Sequence, residues 1–514
     1  MVEISGESVV ATLIRGARVL VMDDRDSEYP RADILIEGTR IAAIGPDLPV
    51  PREAADLKII EASGLLAMPG LINGHVHSPG NLMKGALDDE PLELFMLYEV
   101  PPFSNNLPSP RLNYIRTMLG IVEMLKIGVT AVHDDAFYNP VPTPEAIDGL
   151  MQAYADSGMR AAVTIDQPNV VEYDKYPYLR DLLPDAVRQD MAAARRMTTD
   201  GLLDLYRDFI NRWHGACGGR VRTAVSCSAP QRVTVDYLQA LADLSRGHDL
   251  PYNIHILETK LQRVLGEEKY GKSLVQYVHD LGVLDERVMI IHAVWVDDRD
   301  MEVMGRSGAS VAHNPVCNLK LGSGIMPFRR LRDHGISICL GSDEANVDDT
   351  ANMWGVGKIA GLVHKITDPD YRTWPKAPEI LRALIRGGAR AMRLEGKVGV
   401  LAPGYEADLI LIDLNTLAFT PLNDIRRQLV FCENGSSVVL TMVAGEVVAE
   451  RGRVLTVDEE AIKAEARSLM PAYREEIAES ARMAEKVGRY YREMYLRCAA
   501  RNVGMNRWAG PNAP

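Results

Sequence analysis

Apolar and polar positions change period along this chain. Between residues 9 and 68, short β-branched runs at 13–22, 32–37 and 40–44 alternate with the glycines Gly16, Gly38 and Gly45. That texture predicts a small antiparallel unit. It returns at 407–413, 437–443 and 445–448, so the two flanks are expected to build one composite β-sandwich. Between them, eight short apolar runs lie at 71–76, 129–132, 161–165, 222–227, 252–256, 288–291, 310–312 and 337–340. Stretches such as 111–126, 235–246, 274–281 and 327–333 carry helical spacing in between. Strand–helix alternation implies parallel strands with crossover helices, and eight strands fit a closed (β/α)8, or TIM, barrel. Residues 459–501 are rich in Ala, Glu, Arg and Met and read as helix. The expected α/β organisation is therefore a first sandwich part (1–68), the barrel (69–396), a second sandwich part (397–456) and a helical extension (457–514).

Composition narrows the function classes. A formal net charge of -13 argues against nucleic acid or an anionic membrane surface as partner. The six cysteines form no C-x-x-C pair, and no disulfide framework is expected. No apolar run reaches the ~18 residues of a membrane span, and no secretory signal opens the chain. A cytoplasmic enzyme with a small-molecule substrate is the expectation.

The candidate chemistry falls where barrel strands end. In Asn73-Gly74-His75-Val76-His77, side chains two apart on a strand share a face, so His75 and His77 can present two imidazoles to one ion. His255 closes the fifth run and His292 the sixth, and Asp343 follows the eighth. Active sites of such barrels lie at this rim. His133 also ends a strand. His214, His248, His279, His334 and His364 stand in helical or loop contexts and read as surface or structural residues.

Several motifs, in order, resemble the amidohydrolase superfamily, in particular its branch of S-adenosylhomocysteine and guanine deaminases and the chlorohydrolase-like triazine hydrolases. They are Pro69-Gly70-Leu71-Ile72-Asn73-Gly74-His75-Val76-His77, the loop from Asn81 to Asp89, Glu123 to Thr130, His255-Ile256-Leu257-Glu258, His313 to Gly324, and Leu401 to Leu409. The resemblance implies one divalent metal, zinc or alternatively Fe2+, held by His75, His77, His255 and Asp343. It makes Glu258 the proton carrier, with Asp343 also counted as catalytic, and lets His292 hold the attacking water or the developing oxyanion. The fourth run, Arg222-Thr223-Ala224-Val225-Ser226-Cys227, has no lysine to bridge a second metal, so a mononuclear site is expected.

Substrate contacts are expected from Ser228, Ser104, Trp354 and Asn314. Two of these depart from the nucleoside-type deaminases. Ser228 replaces a histidine of their His-Ala-Pro motif, and Ser104 aligns with a glutamate that binds ribose. Both changes argue for a smaller or more apolar substrate than a nucleoside. The reaction implied is attack of metal-bound hydroxide on an sp2 carbon, with release of ammonia or an amine from a nitrogen heteroaromatic. Hydrolysis of another C–N, C–Cl or C–S bond, as in triazines, phenylureas or thiocarbamates, is the alternative, and a non-catalytic scaffold is the remote one. The protein is expected to be a homo-oligomer.

Overall fold

A computed structural model describes residues 10–49, 56–88, 90–104, 106–107 and 109–510. Asp89 of the first-loop motif, parts of the first flank (1–9 and 50–55) and the end of the tail (511–514) lie outside the described residues. Five strands come first: β1 (Val10–Leu20), β2 (Glu28–Glu37), β3 (Arg40–Gly45), β4 (Asp56–Glu61) and β5 (Leu65–Pro69). Then come β6 (Leu71–His77), β7 (Val129–Asp134), β8 (Arg160–Val163), β9 (Val221–Thr223) and β10 (Val225–Ser226). β11 (Tyr252–Ile256), β12 (Val288–His292), β13 (Ser310–His313), β14 (Ser337–Leu340) and β15 (Asp343–Glu344) follow. β16 (Leu409–Asp413), β17 (Val438–Val443), β18 (Glu446–Glu450) and β19 (Arg453–Val454) complete the set.

The strands β6 to β14 make the barrel. β6, β7, β8 and β9 pair in parallel, as do β10 to β14. β9 and β10 are one strand interrupted at Ala224, whose N–H still donates to the Val163 carbonyl at 2.7 Å. β15 follows β14 after two residues and pairs with β6, Asp343 opposite Val76, so eight strands close on themselves. Nearly every position of these strands is buried, because barrel strands are covered on both faces, which is why they read as continuous apolar runs. The closure depends on glycine. A Cβ on Gly74 would stand 2.7 Å from Cys339 Sγ, and one on Gly341 would stand 2.8 Å from His75 Cβ. First and eighth strands therefore approach closely enough to bring Asp343 beside His75.

The two flanks form a nine-stranded sheet in the order β19-β18-β17-β16-β5-β1-β2-β3, with β4 on β1. The join is β5–β16, antiparallel, with Pro69 opposite Leu409. Alternation sorts the side chains. Leu409 and Leu411 share a core with Ile34 and Ile36 of the other flank, whereas Ile410 and Ile412 pack into the barrel's core. A buried bidentate pair, Arg160 Nε to Asp408 Oδ2 at 2.6 Å and Nη2 to Oδ1 at 3.0 Å, fastens the sheet to the barrel.

The extension packs on the barrel of its own chain. It is one helix, Glu459–Ala499, capped by Asp458. Lys126–Glu459 and Arg111–Glu465 ion pairs tie its start to the helix Pro110–Lys126. Lys260 Nζ donates to the Ala499 carbonyl at its end. Beyond it, Arg507 donates to the carbonyls of Val294 (2.9 Å) and Val296 (2.5 Å), and Trp508 to that of Gly322 (2.9 Å). These loops border the barrel mouth.

Candidate active site

The metal-ligand candidates converge at the C-terminal rim, all of them buried. His77 Nε2 and His255 Nε2 lie 3.2 Å apart, and Asp343 Oδ1 stands 3.5 Å from His75 Nε2 and 3.6 Å from His77 Nε2. The tautomers follow from the partners. His77 Nδ1 faces the Asp135 carbonyl at 2.5 Å and His255 Nδ1 the Ser228 carbonyl at 2.9 Å. A carbonyl only accepts, so each Nδ1 carries the hydrogen and each Nε2 offers a lone pair. Two lone pairs 3.2 Å apart repel unless a cation lies between them. His75 has no hydrogen-bond partner on either ring nitrogen. A tetrahedral ion with bonds of ~2.0–2.1 Å holds its ligand atoms about 3.3–3.4 Å apart; the His77–His255, His75–Asp343 and His77–Asp343 separations are close to that, while the carboxylate within 4.8 Å of all three imidazoles is Asp135.

His292 is oriented differently. Its Nδ1 accepts from the amides of Asn318 (3.0 Å) and Asn314 (3.4 Å), which leaves the hydrogen on Nε2. That N–H faces Glu258 Oε2 at 3.4 Å and Asp343 Oδ2 at 3.6 Å. His292 thus presents a donor, not a ligand lone pair, to the centre. Asn314 also donates to Asp343 Oδ2 at 3.2 Å. Several residues here hold left-handed backbone, with φ of 63° at Ser228, 76° at His292 and 62° at Asp343. Such outliers persist where packing over-determines them, and they cluster at functional sites.

Electrostatics separates the two carboxyl groups. Burial, with Asp343 and Glu93 nearby, pushes Glu258 well above the usual carboxylate range. Burial acts on Asp343 in the same sense, but His75, His292 and His77 outweigh it and hold Asp343 well below that range. Burial likewise drives His292 down to about 3 and His255 far down, so both imidazoles are neutral. One carboxyl able to carry a proton beside one that stays ionised is the arrangement acid–base chemistry needs.

These groups open into a cavity. The helix Leu92–Glu99 turns Leu92, Phe95, Met96 and Glu99 toward it, spaced as one helical face. Ser228 lines it, as do Arg232, Asp166, Glu172 and Glu344. The other three expected substrate contacts do not line it. Asn314 is fully buried, its amide donating to Asp343 Oδ2 and His292 Nδ1. Trp354 is buried elsewhere, its indole N–H donated to the Ile127 carbonyl at 2.9 Å, because a buried indole needs an acceptor and finds one at the end of the helix Pro110–Lys126. Ser104 lies past the helix Leu92–Glu99, in the loop that follows it, and the carboxylate facing the cavity from that region is Glu99. A carboxyl group therefore faces the cavity from this region although Ser104 does not.

Other residues were not singled out from the sequence. Asp135 lies close enough to His75, His77 and His255 to share an ion with them. Burial, reinforced by Asp166, raises it to about 7. Arg232 is two residues beyond the Ser228-Ala229-Pro230 motif and Glu344 adjoins Asp343, so proximity to a motif was a usable signal for both. Of the histidines read as structural, His364 is buried against His313, Nε2 to Nε2 at 3.1 Å, and His279 is exposed.

Comparison with known proteins meets this geometry. A sequence model described as Amidohydrolase family matches residues 66–448. The chain is 31% identical over 454 residues, 88% of its length and 96% of the relative's, to a 5-methylthioadenosine/S-adenosylhomocysteine deaminase of Pelotomaculum thermopropionicum. It is 29% identical over 454 residues, again 88% and 96%, to a 5'-deoxyadenosine deaminase of Methanosarcina mazei. Among solved structures, atrazine chlorohydrolase TrzN from Arthrobacter aurescens TC1, complexed with zinc, superposes with a TM-score of 0.80 at 25% identity, over 90% of this chain and 100% of that one. A match of this breadth, on a barrel whose rim gathers histidines, an aspartate and a buried glutamate, means that this chain belongs to the amidohydrolase family.

Proposed function

We propose that this enzyme hydrolyses the exocyclic amino group of a nitrogen heteroaromatic and releases ammonia, with a single zinc ion held by His75, His77, His255 and Asp343. The observation that carries the reading is the placement of Glu258 and His292 over that ligand set, Glu258 Oε2 3.4 Å from His292 Nε2 and His292 Nε2 3.6 Å from Asp343 Oδ2. Three imidazoles and one carboxylate suit zinc. When bound, such an ion supplies a Lewis acid that lowers the pKa of water toward ~7.

The chain's own residues do the rest. Glu258 accepts a proton as water adds to the ring carbon. The His292 N–H orients the adding oxygen and then stabilises its charge. As the carbon–nitrogen bond breaks, Glu258 returns the proton to the departing nitrogen. Water and the aminated ring become ammonia and the hydroxylated ring, with no net proton change at the enzyme. Ser228 and the Asp135 carbonyl hold His255 and His77 in register. The face formed by Leu92, Phe95 and Met96 shields the ring from bulk water, while Glu99 suits a substituent carrying hydroxyl or amino donors. A polar substituent on an aminated ring is what the nucleoside deaminases among the relatives act on by name, and it fits this cavity better than a small apolar ring. The six cysteines are unpaired, which suits a reducing cytoplasm.

The test is ammonia release from purified zinc-loaded protein with adenosine, 5'-methylthioadenosine, S-adenosylhomocysteine, guanine and an aminotriazine, alongside metal analysis. Turnover of an aminated ring with one ion per chain is expected. Chloride or alkylamine release as the best activity in the panel would replace the reading with a triazine-type hydrolase, and two ions at full activity would remove the mononuclear site.

A further inference from the structure

Arg232 is a cavity-lining cation whose chemistry the reaction above leaves unused. It is 8% exposed. Its guanidinium donates to Ser228 Oγ at 3.2 Å and lies 2.9 Å from Met96 Sδ. Neither is a strong acceptor, and among the described residues no carboxylate lies within ion-pair distance of Arg232, although the buried carboxyl groups of Asp166, Glu93 and Glu258 act on it from further off. An arginine has five N–H donors and stays charged. Removing such a cation from water is costly unless an anion with fitting geometry compensates.

The other cation in the cavity wall is not comparable. Lys175 Nζ is bound to Glu172 Oε2 at 2.7 Å, and Glu172 Oε1 is held by the Tyr491 hydroxyl at 3.2 Å. That group is closed, whereas Arg232 is open. Ser228 also matters. Where a longer side chain would fill the end of the fourth strand, the short hydroxyl leaves room for a guanidinium to reach the cavity four residues further on. The same Ser228 carbonyl fixes the ligand His255, so Arg232 stands at a defined place relative to the metal centre.

We propose that Arg232 is a specificity-determining residue that receives an anionic oxygen pair of the substrate, so that the substrate is an aminated heteroaromatic carrying a carboxylate or a phosphate. The planar fork matches two such oxygens in one bidentate contact. The inference rests on the aminohydrolase reading, and its test separates the two.

The first arm needs no turnover. Benzoate, benzamide and phenyl phosphate are titrated calorimetrically into zinc-loaded wild type and Arg232→Met. A charge-assisted contact contributes roughly 10- to 100-fold in affinity. Benzoate or phenyl phosphate is expected to outbind benzamide by about that factor in wild type, and the advantage is expected to collapse in Arg232→Met. An anion held by the metal alone would keep its advantage in the variant, and that result overturns the proposal. The larger of the two anionic advantages identifies carboxylate or phosphate.

The second arm compares kcat/KM for adenosine-5'-carboxylate, its isosteric carboxamide and adenosine 5'-monophosphate. The ratio of anionic to neutral substrate is expected to fall about 10-fold or more in Arg232→Met and only partly in Arg232→Lys, which keeps the charge but not the fork. An equal loss on charged and neutral substrates would make Arg232 structural and overturn the proposal. If no ring releases ammonia, the aminohydrolase reading fails, while the benzoate–benzamide comparison still decides Arg232.

Discussion

Replacing Glu258 by Gln should move activity and stability in opposite directions. Glu258 is 3% exposed, its Oε1 has no partner among the described residues, and its Oε2 faces the His292 N–H at 3.4 Å. Glutamine keeps the shape but can neither take nor return a proton at the reacting carbon. General acid–base groups contribute typically ~10²–10⁴-fold, so kcat should fall by that factor, roughly 3–5 kcal/mol at 1.36 kcal/mol per decade. Metal content should be unchanged, because Glu258 is outside the proposed ligand set. In chelator-treated protein the sign reverses. Burial raises the folded-state pKa of Glu258, so between the ordinary carboxylate value and that raised value the folded protein binds more protons than the unfolded chain. Stability is then lost as pH rises through that window. The amide has no such penalty. Its advantage should be absent near pH 4, grow with rising pH, and amount to about 1–3 kcal/mol, the cost of one unsatisfied buried polar group. The assays are steady-state ammonia release and thermal unfolding at pH 4 to 8. Near wild-type kcat would refute the proton-carrying role. A Gln variant less stable at every pH would refute the account of the buried carboxyl.

His255→Ala should lose most bound metal, whereas His292→Asn should retain it and lose kcat, as metal analysis beside turnover would show; loss of metal in the second variant would move His292 into the ligand set. His364 is buried and its pKa is lowered from 6.5 to about 4, so the unfolded chain takes up the proton first and stability falls as pH drops through that interval. Over about 2.5 pH units this amounts to roughly 3 kcal/mol, and the decline in Tm between pH 6.5 and 4 should be visibly shallower in His364→Gln. Arg507→Ala, which frees the Val294 and Val296 carbonyls just after His292, should lower kcat several-fold with metal content intact; unchanged kcat would make the tail a stabilising strap only.

Much of this protein was legible in its sequence. Parallel barrel strands are buried on both faces, so they announce themselves as apolar runs, and the metal-capable residues follow those runs at fixed positions. The helices 110–126 and 235–248 appeared within two residues of their expected limits because their apolar spacing is regular. The helix Leu92–Glu99, which supplies much of the cavity wall, did not. Its run Leu92-Glu93-Leu94-Phe95-Met96-Leu97-Tyr98 buries both its core side and its cavity side, and periodicity fades when both faces are apolar.

What the sequence alone determined is the set of groups that must meet at the rim, since chemistry tied to strand ends is carried by local pattern. The tertiary structure alone decided how they meet. It set which nitrogen of His292 carries the hydrogen, through Asn314 and Asn318. It placed Glu99 in the cavity instead of Ser104, buried Trp354 outside it, and left Arg232 there without a close ion pair among the described residues. It also packed the C-terminal helix and tail against the barrel's helices and the loop after β12. These outcomes depend on partners more than 20 residues away in the chain. Hydrogen-bond direction, desolvation and counter-ion supply are properties of a three-dimensional neighbourhood, which a one-dimensional pattern does not encode.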